Sequence, residues 1–157
     1  MNFFTYQTPI GKLSIVCEGG YIVKVTLLDI FDHTKRNETP LIKEAHRQIM
    51  EYFERKRKHF ELPLKPKGTP FQQTVWNALC QIPYGKTKSY KEIAEMTGNP
   101  KACRAVGMAN HCNPIMIIIP CHRVIGANGM LTGYAYGVEM KKQLLDLENL
   151  SEQIKKQ

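Results

Sequence analysis

Two residues able to do chemistry together stand side by side: Cys121 and His122, in the stretch I-P-C-H-R-V-I-G at positions 119–126. A free thiol has a pKa of about 8.5 and is mostly protonated at neutral pH. A nearby imidazole can take that proton and leave a thiolate, which attacks soft electrophilic carbon well. A third group, usually a carboxylate, then orients the imidazole and stabilises its charged form. The sequence holds no acid between Glu95 and Glu139, so the candidates are Asp146 and Glu148. Neighbouring residues on a strand point to opposite faces, so Cys121 and His122 must sit on a turn to cooperate. Pro120 favours a turn, and the run P-I-M-I-I-I before it (114–119) reads as buried.

Other uses of these residue types fit less well. Cys103, His111, Cys112, Cys121 and His122 are five possible metal ligands, but no C-x2-C or H-x3-H spacing joins them. The local signature of papain-like proteases, C-G-[SA]-C-[WY], is also absent. The five cysteines are odd in number and no secretion signal precedes them, so reduced thiols are expected. Most of them read as small buried hydrophobes.

The elements that must position the pair fall into two lobes. F-F-T-Y, L-S-I-V-C-E and Y-I-V-K-V-T-L-L, within residues 1–30, read as an antiparallel meander with turns at Pro9–Gly11 and Gly19-Gly20. Residues 40–58 place Leu41, Ile42, Ala45, Ile49, Met50 and Phe53 at helical spacing. The run Arg55–Lys58 at its end reads as solvated charge favoured by the helix dipole. Residues 61–70 hold three prolines and a glycine and form the linker, with the boundary near 68.

Beyond it, a helix is predicted from a Thr69 cap and Pro70 to Ile82. A short helix capped by Ser89 with Glu92, a turn at Thr97–Pro100 and a second helix from Lys101 to about Asn110 match a helix-turn-helix. The second helix, K-A-C-R-A-V-G-M-A-N, is rich in small residues around Arg104. Small residues allow close helix packing; equally, they allow close approach to nucleic acid, with Arg104 filling a gap in a base stack. Residues 137–150 read as a last amphipathic helix, and the polar tail to Gln157 is expected to fray.

The chain has 157 residues and a formal net charge of +8. Residues 69–136 carry Lys86, Lys88, Lys91, Lys101, Arg104 and Arg123 against only Glu92 and Glu95. Such a surface attracts polyanions, of which nucleic acid is the commonest in the cytosol. No apolar run approaches the roughly 20 residues of a membrane helix. The N-terminus lacks a basic segment and a long apolar one, so no signal peptide and a cytoplasmic location are expected.

I-P-C-H-R-V-I-G, preceded by R-A-V-G-M-A-N-H-C-N-P, resembles the O6-alkylguanine-DNA alkyltransferase (methylated-DNA–protein-cysteine methyltransferase) family. The likeness runs from about Phe71 to Glu148 and includes Y-G-K-T-K-S-Y, G-N-P-K-A and L-T-G-Y-A; residues 1–67 match only in length and element order. It implies an α+β fold: an N-terminal ribonuclease H-like lobe (1–67) with a small antiparallel sheet and a helix, then a mostly helical lobe (68–157) with a winged helix-turn-helix. It implies a DNA repair protein that takes the alkyl group irreversibly from O6-methylguanine, with O4-methylthymine as a further lesion. Cys121 would be the acceptor. His122 would remove its proton through a water, Glu148 would hold His122, and Asn113 would bond across the turn after the second helix of the motif. Tyr90, Tyr134, the Cys121 and Val124 carbonyls and the N–H near Ala135 would line the guanine site. Lys101, Ala102, Cys103, Arg104, Ala105, Gly107 and Arg123 would meet double-stranded DNA through the minor groove, and the base would leave the duplex. The resemblance also implies a monomer that uses no cofactor and no membrane, since the damaged base supplies the group.

Two departures stand out. Tyr136 replaces a small residue common in the family and should narrow the pocket against benzyl-type groups. The N-terminal lobe offers only Cys17, His33, His46 and His59, too few for the zinc site some members carry there, so no metal is expected. Two other readings account for less. Binding-only relatives lack the acceptor cysteine, and a helix-turn-helix regulator leaves Cys121 and His122 unexplained.

Overall fold

The computed structural model describes residues 1–29, 31–131 and 134–155, with side chains to residue 149. Ile30 of the strand-rich segment, Thr132 and Gly133 of L-T-G-Y-A, and Lys156 and Gln157 of the tail lie outside the described residues. The fold is α+β, and the chain divides into two compact units: Met1–Lys67 with Pro114–Met116, and Gly68–Asn113 with Ile117–Gln157.

In the first unit β1 (Asn2–Thr8), β2 (Gly11–Glu18) and β3 (Tyr21–Thr26) form an antiparallel meander in that order. Gly19 and Gly20 both take positive φ, 59° and 84°, which the two-residue turn between β2 and β3 requires. The buried side of the sheet includes Leu13, Ile15 and Val25. Against it packs α1 (Pro40–Phe53), capped by Thr39 and burying Ile42, Ala45, Ile49 and Tyr52. The helix stops at Phe53, before the basic run it was predicted to include. Arg55 takes φ 60°, Lys56 N–H donates to the Glu51 carbonyl and Arg55 N–H to that of Tyr52, a Schellman ending. Pro114–Met116 lies along β3: Val25 N–H donates to the Pro114 carbonyl (2.9 Å) and Met116 N–H to that of Val25 (3.2 Å).

In the second unit α2 (Pro70–Leu79) begins with a capping box between Thr69 and Gln72. It ends three residues earlier than predicted, where Cys80, Gln81 and Ile82 close in turn hydrogen bonds. β4 (Lys88–Ser89) leads into α3 (Tyr90–Met96), which opens on a second capping box, Ser89 with Glu92. Gly98, at φ 87°, ends α3, and α4 (Cys103–His111) follows. α4 starts two residues later than predicted, because Asn99 holds the Lys101 and Ala102 N–H groups in a turn. α2 packs on both α3 and α4, and its buried Trp76 donates Nε1–H to the Ala109 carbonyl at 2.8 Å. A Cβ at Gly68 would sit 2.4 Å from the Trp76 ring, so only glycine fits there.

After α4 the chain reaches a single 3-10 turn, Cys121–Arg123, then β5 (Val124–Ile125), which pairs in parallel with β4. At the place expected for a wing, Gly126 N–H donates to the Met130 carbonyl across a tight loop. α5 (Val138–Lys155) closes the fold and runs five residues past the predicted end at 150. Among the described residues no helix is long and apolar enough to cross a membrane, and no three His, Cys, Asp or Glu gather to hold a metal ion.

Candidate active site

Cys121 and His122 sit on a turn because the chain before them cannot continue as a regular strand. Ile117, a β-branched residue buried in the run, takes φ 72°. That conformation costs about 1–3 kcal/mol and persists only where the surroundings fix it. Two bonds converge on the Ile119 carbonyl, from Cys121 N–H and from Asn113 Nδ2, each at 2.8 Å. Asn113 thus ties the end of α4 to the turn. From the inner face of α4, Asn110 Nδ2 donates to the Cys121 carbonyl at 3.3 Å, and Val124 N–H donates to the same oxygen.

α5 supplies the acid. Lys141, Leu144, Leu145 and Glu148 form its buried stripe at helical spacing, facing the 3-10 turn. Glu148 Oε2 lies 2.6 Å from His122 Nε2, and both side chains are fully buried. Asp146, the other candidate, is exposed and pairs with Lys142 at 3.4 Å. Glu148 also accepts from Gly85 N–H at 3.2 Å and from Arg123 at 2.8 and 3.1 Å.

These contacts set the protonation states. Burial alone would raise the Glu148 carboxyl, but hydrogen bonds and charge from His122 and Arg123 hold it at about 2. Burial pulls His122 below its usual range, with Glu148 opposing. The imidazole is therefore neutral at pH 7. Beside an ionised Glu148, Nε2 carries the hydrogen and donates it, which leaves Nδ1 as the acceptor. Nδ1 is buried and has no hydrogen-bond partner among the described residues. Burial pushes the Cys121 thiol up to about 11, opposed by a hydrogen bond from Asn113, the charge of Lys141 and the Tyr134 hydroxyl. Desolvation and the Cys121 charge raise Tyr134 as well.

Sequence reasoning missed Lys141. Its side chain is fully buried, its ammonium lies 5.8 Å from the centre of the Tyr90 ring, and burial lowers it to about 8. The signal that could have found it is a lysine inside an apolar helical stripe, seven residues before Glu148. Asn110 was missed in the same way, on the buried side of α4.

The remaining predicted residues fall in three groups. Tyr90 opens α3, half-buried, its ring about 4.0 Å from where a Gly107 Cβ would stand. Val124 is buried at the start of β5; Tyr134 is buried and meets the Tyr136 ring edge-on at 5.8 Å; Ala135 lies in the exposed turn between them. Lys101, Arg104 and Ala105 are exposed on the outer side of α4, with Ala102, Cys103 and Gly107 half-buried along its edge.

Arg123 corrects the sequence reading. It was expected on DNA, but it is 6% exposed, and its guanidinium donates to Glu148 and, at 2.7 Å, to the Ile82 carbonyl. A charge next to a buried carboxylate is drawn inward to pair with it.

Two family models cover nearly the whole chain. One, described as "6-O-methylguanine DNA methyltransferase, DNA binding domain", matches residues 70–150. The other, described as "6-O-methylguanine DNA methyltransferase, ribonuclease-like domain", matches residues 1–66. The constitutive methylated-DNA–protein-cysteine methyltransferase of Bacillus subtilis is 48% identical over 161 residues, covering 96% of this chain and 98% of that protein. The methylated-DNA–protein-cysteine methyltransferase of Methanosarcina acetivorans is 47% identical over 154 residues, covering 94% and 98%. The crystal structure of Mycobacterium tuberculosis OGT in complex with DNA matches with a TM-score of 0.88 at 44% identity, covering 96% of this chain and 94% of that one.

Proposed function

The chain belongs to the 6-O-methylguanine DNA methyltransferase family, and from that premise we propose that it repairs DNA directly, moving the alkyl group from O6 of guanine to its own Cys121. The observation that carries the assignment of roles is the state of His122. Its Nε2–H is held by Glu148 while Nδ1, one residue from the thiol, is a buried acceptor without a partner.

His122 Nδ1 takes the Cys121 proton through one water, and the ionised Glu148 stabilises the imidazolium. The thiolate sulfur attacks the alkyl carbon in line with the O6–C bond. The S–C bond forms as the C–O bond breaks, and the released electron pair stays on guanine. Tyr90 at N3 helps the departing base carry or lose that charge. The product is a thioether, so each chain acts once, and no cofactor enters because the lesion supplies the group. Asn113 and Asn110 are positioning residues that hold the turn.

The lesion reaches Cys121 only outside the base stack. The exposed side of α4 meets the minor groove of double-stranded DNA, and Arg104 enters the gap the base leaves. Residues 68–157 carry this chemistry as the DNA-binding and acceptor domain, and residues 1–67 act as a scaffold. The protein works as a monomer in the cytoplasm, where a reducing milieu keeps the acceptor a thiol.

The test is transfer of label. A duplex carrying radiolabelled O6-methylguanine should pass its label to the wild type and not to Cys121→Ser. DNA binding without transfer by the wild type would contradict the proposal and favour a binding-only protein.

A further inference from the structure

The outer side of α4 holds one residue that neither charge nor small size explains. Arg104, Ala105, Met108 and His111 are all exposed and recur at helical spacing, so they share one face of α4. Val106, Ala109 and Asn110 turn inward. Met108 is 66% exposed, the highest figure for any large hydrophobic side chain among the described residues. Single exposed apolar residues are ordinary on protein surfaces. This one lies one helical turn after Arg104, on the face the proposed function brings against the duplex.

We infer that Met108 is a second wedge, an apolar side chain that presses on the base step next to the extruded nucleotide and holds the duplex open. The inference rests on the reading of α4 as the DNA-binding helix. Residues four apart on a helix have Cβ atoms about 5–6 Å apart. That is between one and two base-pair steps of ~3.4 Å, so Met108 reaches the stack beside the gap that Arg104 fills. An unbranched thioether is flexible and polarisable and suits an irregular gap between bases. Apolar side chains of this class unstack and kink duplexes when inserted from the minor groove. Met108 makes no charge contact with phosphate, so its effect is separable from that of Lys101 and Arg104.

The test compares wild type, Met108→Ala and Met108→Leu. Three quantities are measured: methyl transfer from an O6-methylguanine duplex, transfer from the free O6-methylguanine base, and fluorescence of 2-aminopurine placed beside the lesion. Met108→Ala should lower the duplex-to-free-base rate ratio about tenfold and weaken the fluorescence rise. The salt dependence of duplex binding should keep its slope, and Met108→Leu should restore most of the ratio. An unchanged ratio in Met108→Ala, with wild type active on the duplex, would overturn the wedge and leave the repair function standing. A wild type that transfers nothing from either substrate would overturn both.

Discussion

Glu148 and His122 meet at 2.6 Å with neither side chain exposed to solvent. This pair fixes the imidazole with Nδ1 as its open acceptor, and in the proposed function that acceptor, not the thiol alone, is what activates Cys121. Glu148→Gln should slow methyl transfer by about 10²-fold, the scale of general-base catalysis that His122 loses without its carboxylate partner. Single-turnover quenched flow on a damaged duplex measures it; a wild-type rate would remove Glu148 from the mechanism. The same residue links stability to pH. Its carboxyl is held near 2 in the fold against an ordinary 4.5. Its contribution is therefore present above pH 4.5 and disappears as the pH falls toward 2. Acid unfolding of Glu148→Gln should be shallower than wild type across that window.

Arg123 is a structural partner of Glu148 and Ile82, so removing it should damage the fold and spare DNA recognition. Arg123→Met leaves a buried carboxylate partly uncompensated and should cost about 3 kcal/mol in denaturant unfolding. The salt slope of DNA binding should stay at the wild-type value. A slope reduced by about one would return Arg123 to the phosphate contacts.

Lys141 places an ammonium whose charge favours the Cys121 thiolate. Lys141→Met should reduce transfer at pH 7 at least tenfold, the effect of about one pKa unit on the thiol. The wild-type ammonium, lowered to about 8 by burial, is lost as pH rises through that value. The wild-type rate should therefore fall on the alkaline side, and Lys141→Arg should move that fall upward. Equal pH–rate profiles for all three proteins would contradict the assignment.

Tyr136 stands edge-on to Tyr134, which is buried beside the acceptor thiol. The ring should narrow the space for large alkyl groups. Tyr136→Gly should accelerate reaction with free O6-benzylguanine several-fold more than it changes the methyl reaction. Comparable benzyl rates in both proteins would show that the ring does not limit access.

The chemistry was legible in the sequence where it depended on neighbours along the chain. Cys121 beside His122, Pro120 before them, and the Thr69–Gln72 and Ser89–Glu92 capping boxes are all local patterns, and local bonds enforce them. What depended on partners far along the chain was harder to read. Arg123 looked like a surface charge because the bonds that bury it come from Ile82 and Glu148, each at least 25 residues away. Lys141 and Asn110 are polar residues on buried helical faces, and hydrophobic periodicity passes over them. The β4–β5 pairing is two residues long on each strand, too short to leave a pattern. Helical periodicity runs past the end of α1 because an arginine, not a glycine, takes the left-handed position that stops it.

The most direct measurement is the mass of the protein after reaction with an excess of O6-methylguanine duplex, followed by peptide mapping. One added methyl per chain is expected, located on Cys121, with repair stopping at one lesion per protein. A methyl group on Cys17, Cys80, Cys103 or Cys112 instead, or repair that continues past one lesion per chain, would contradict it.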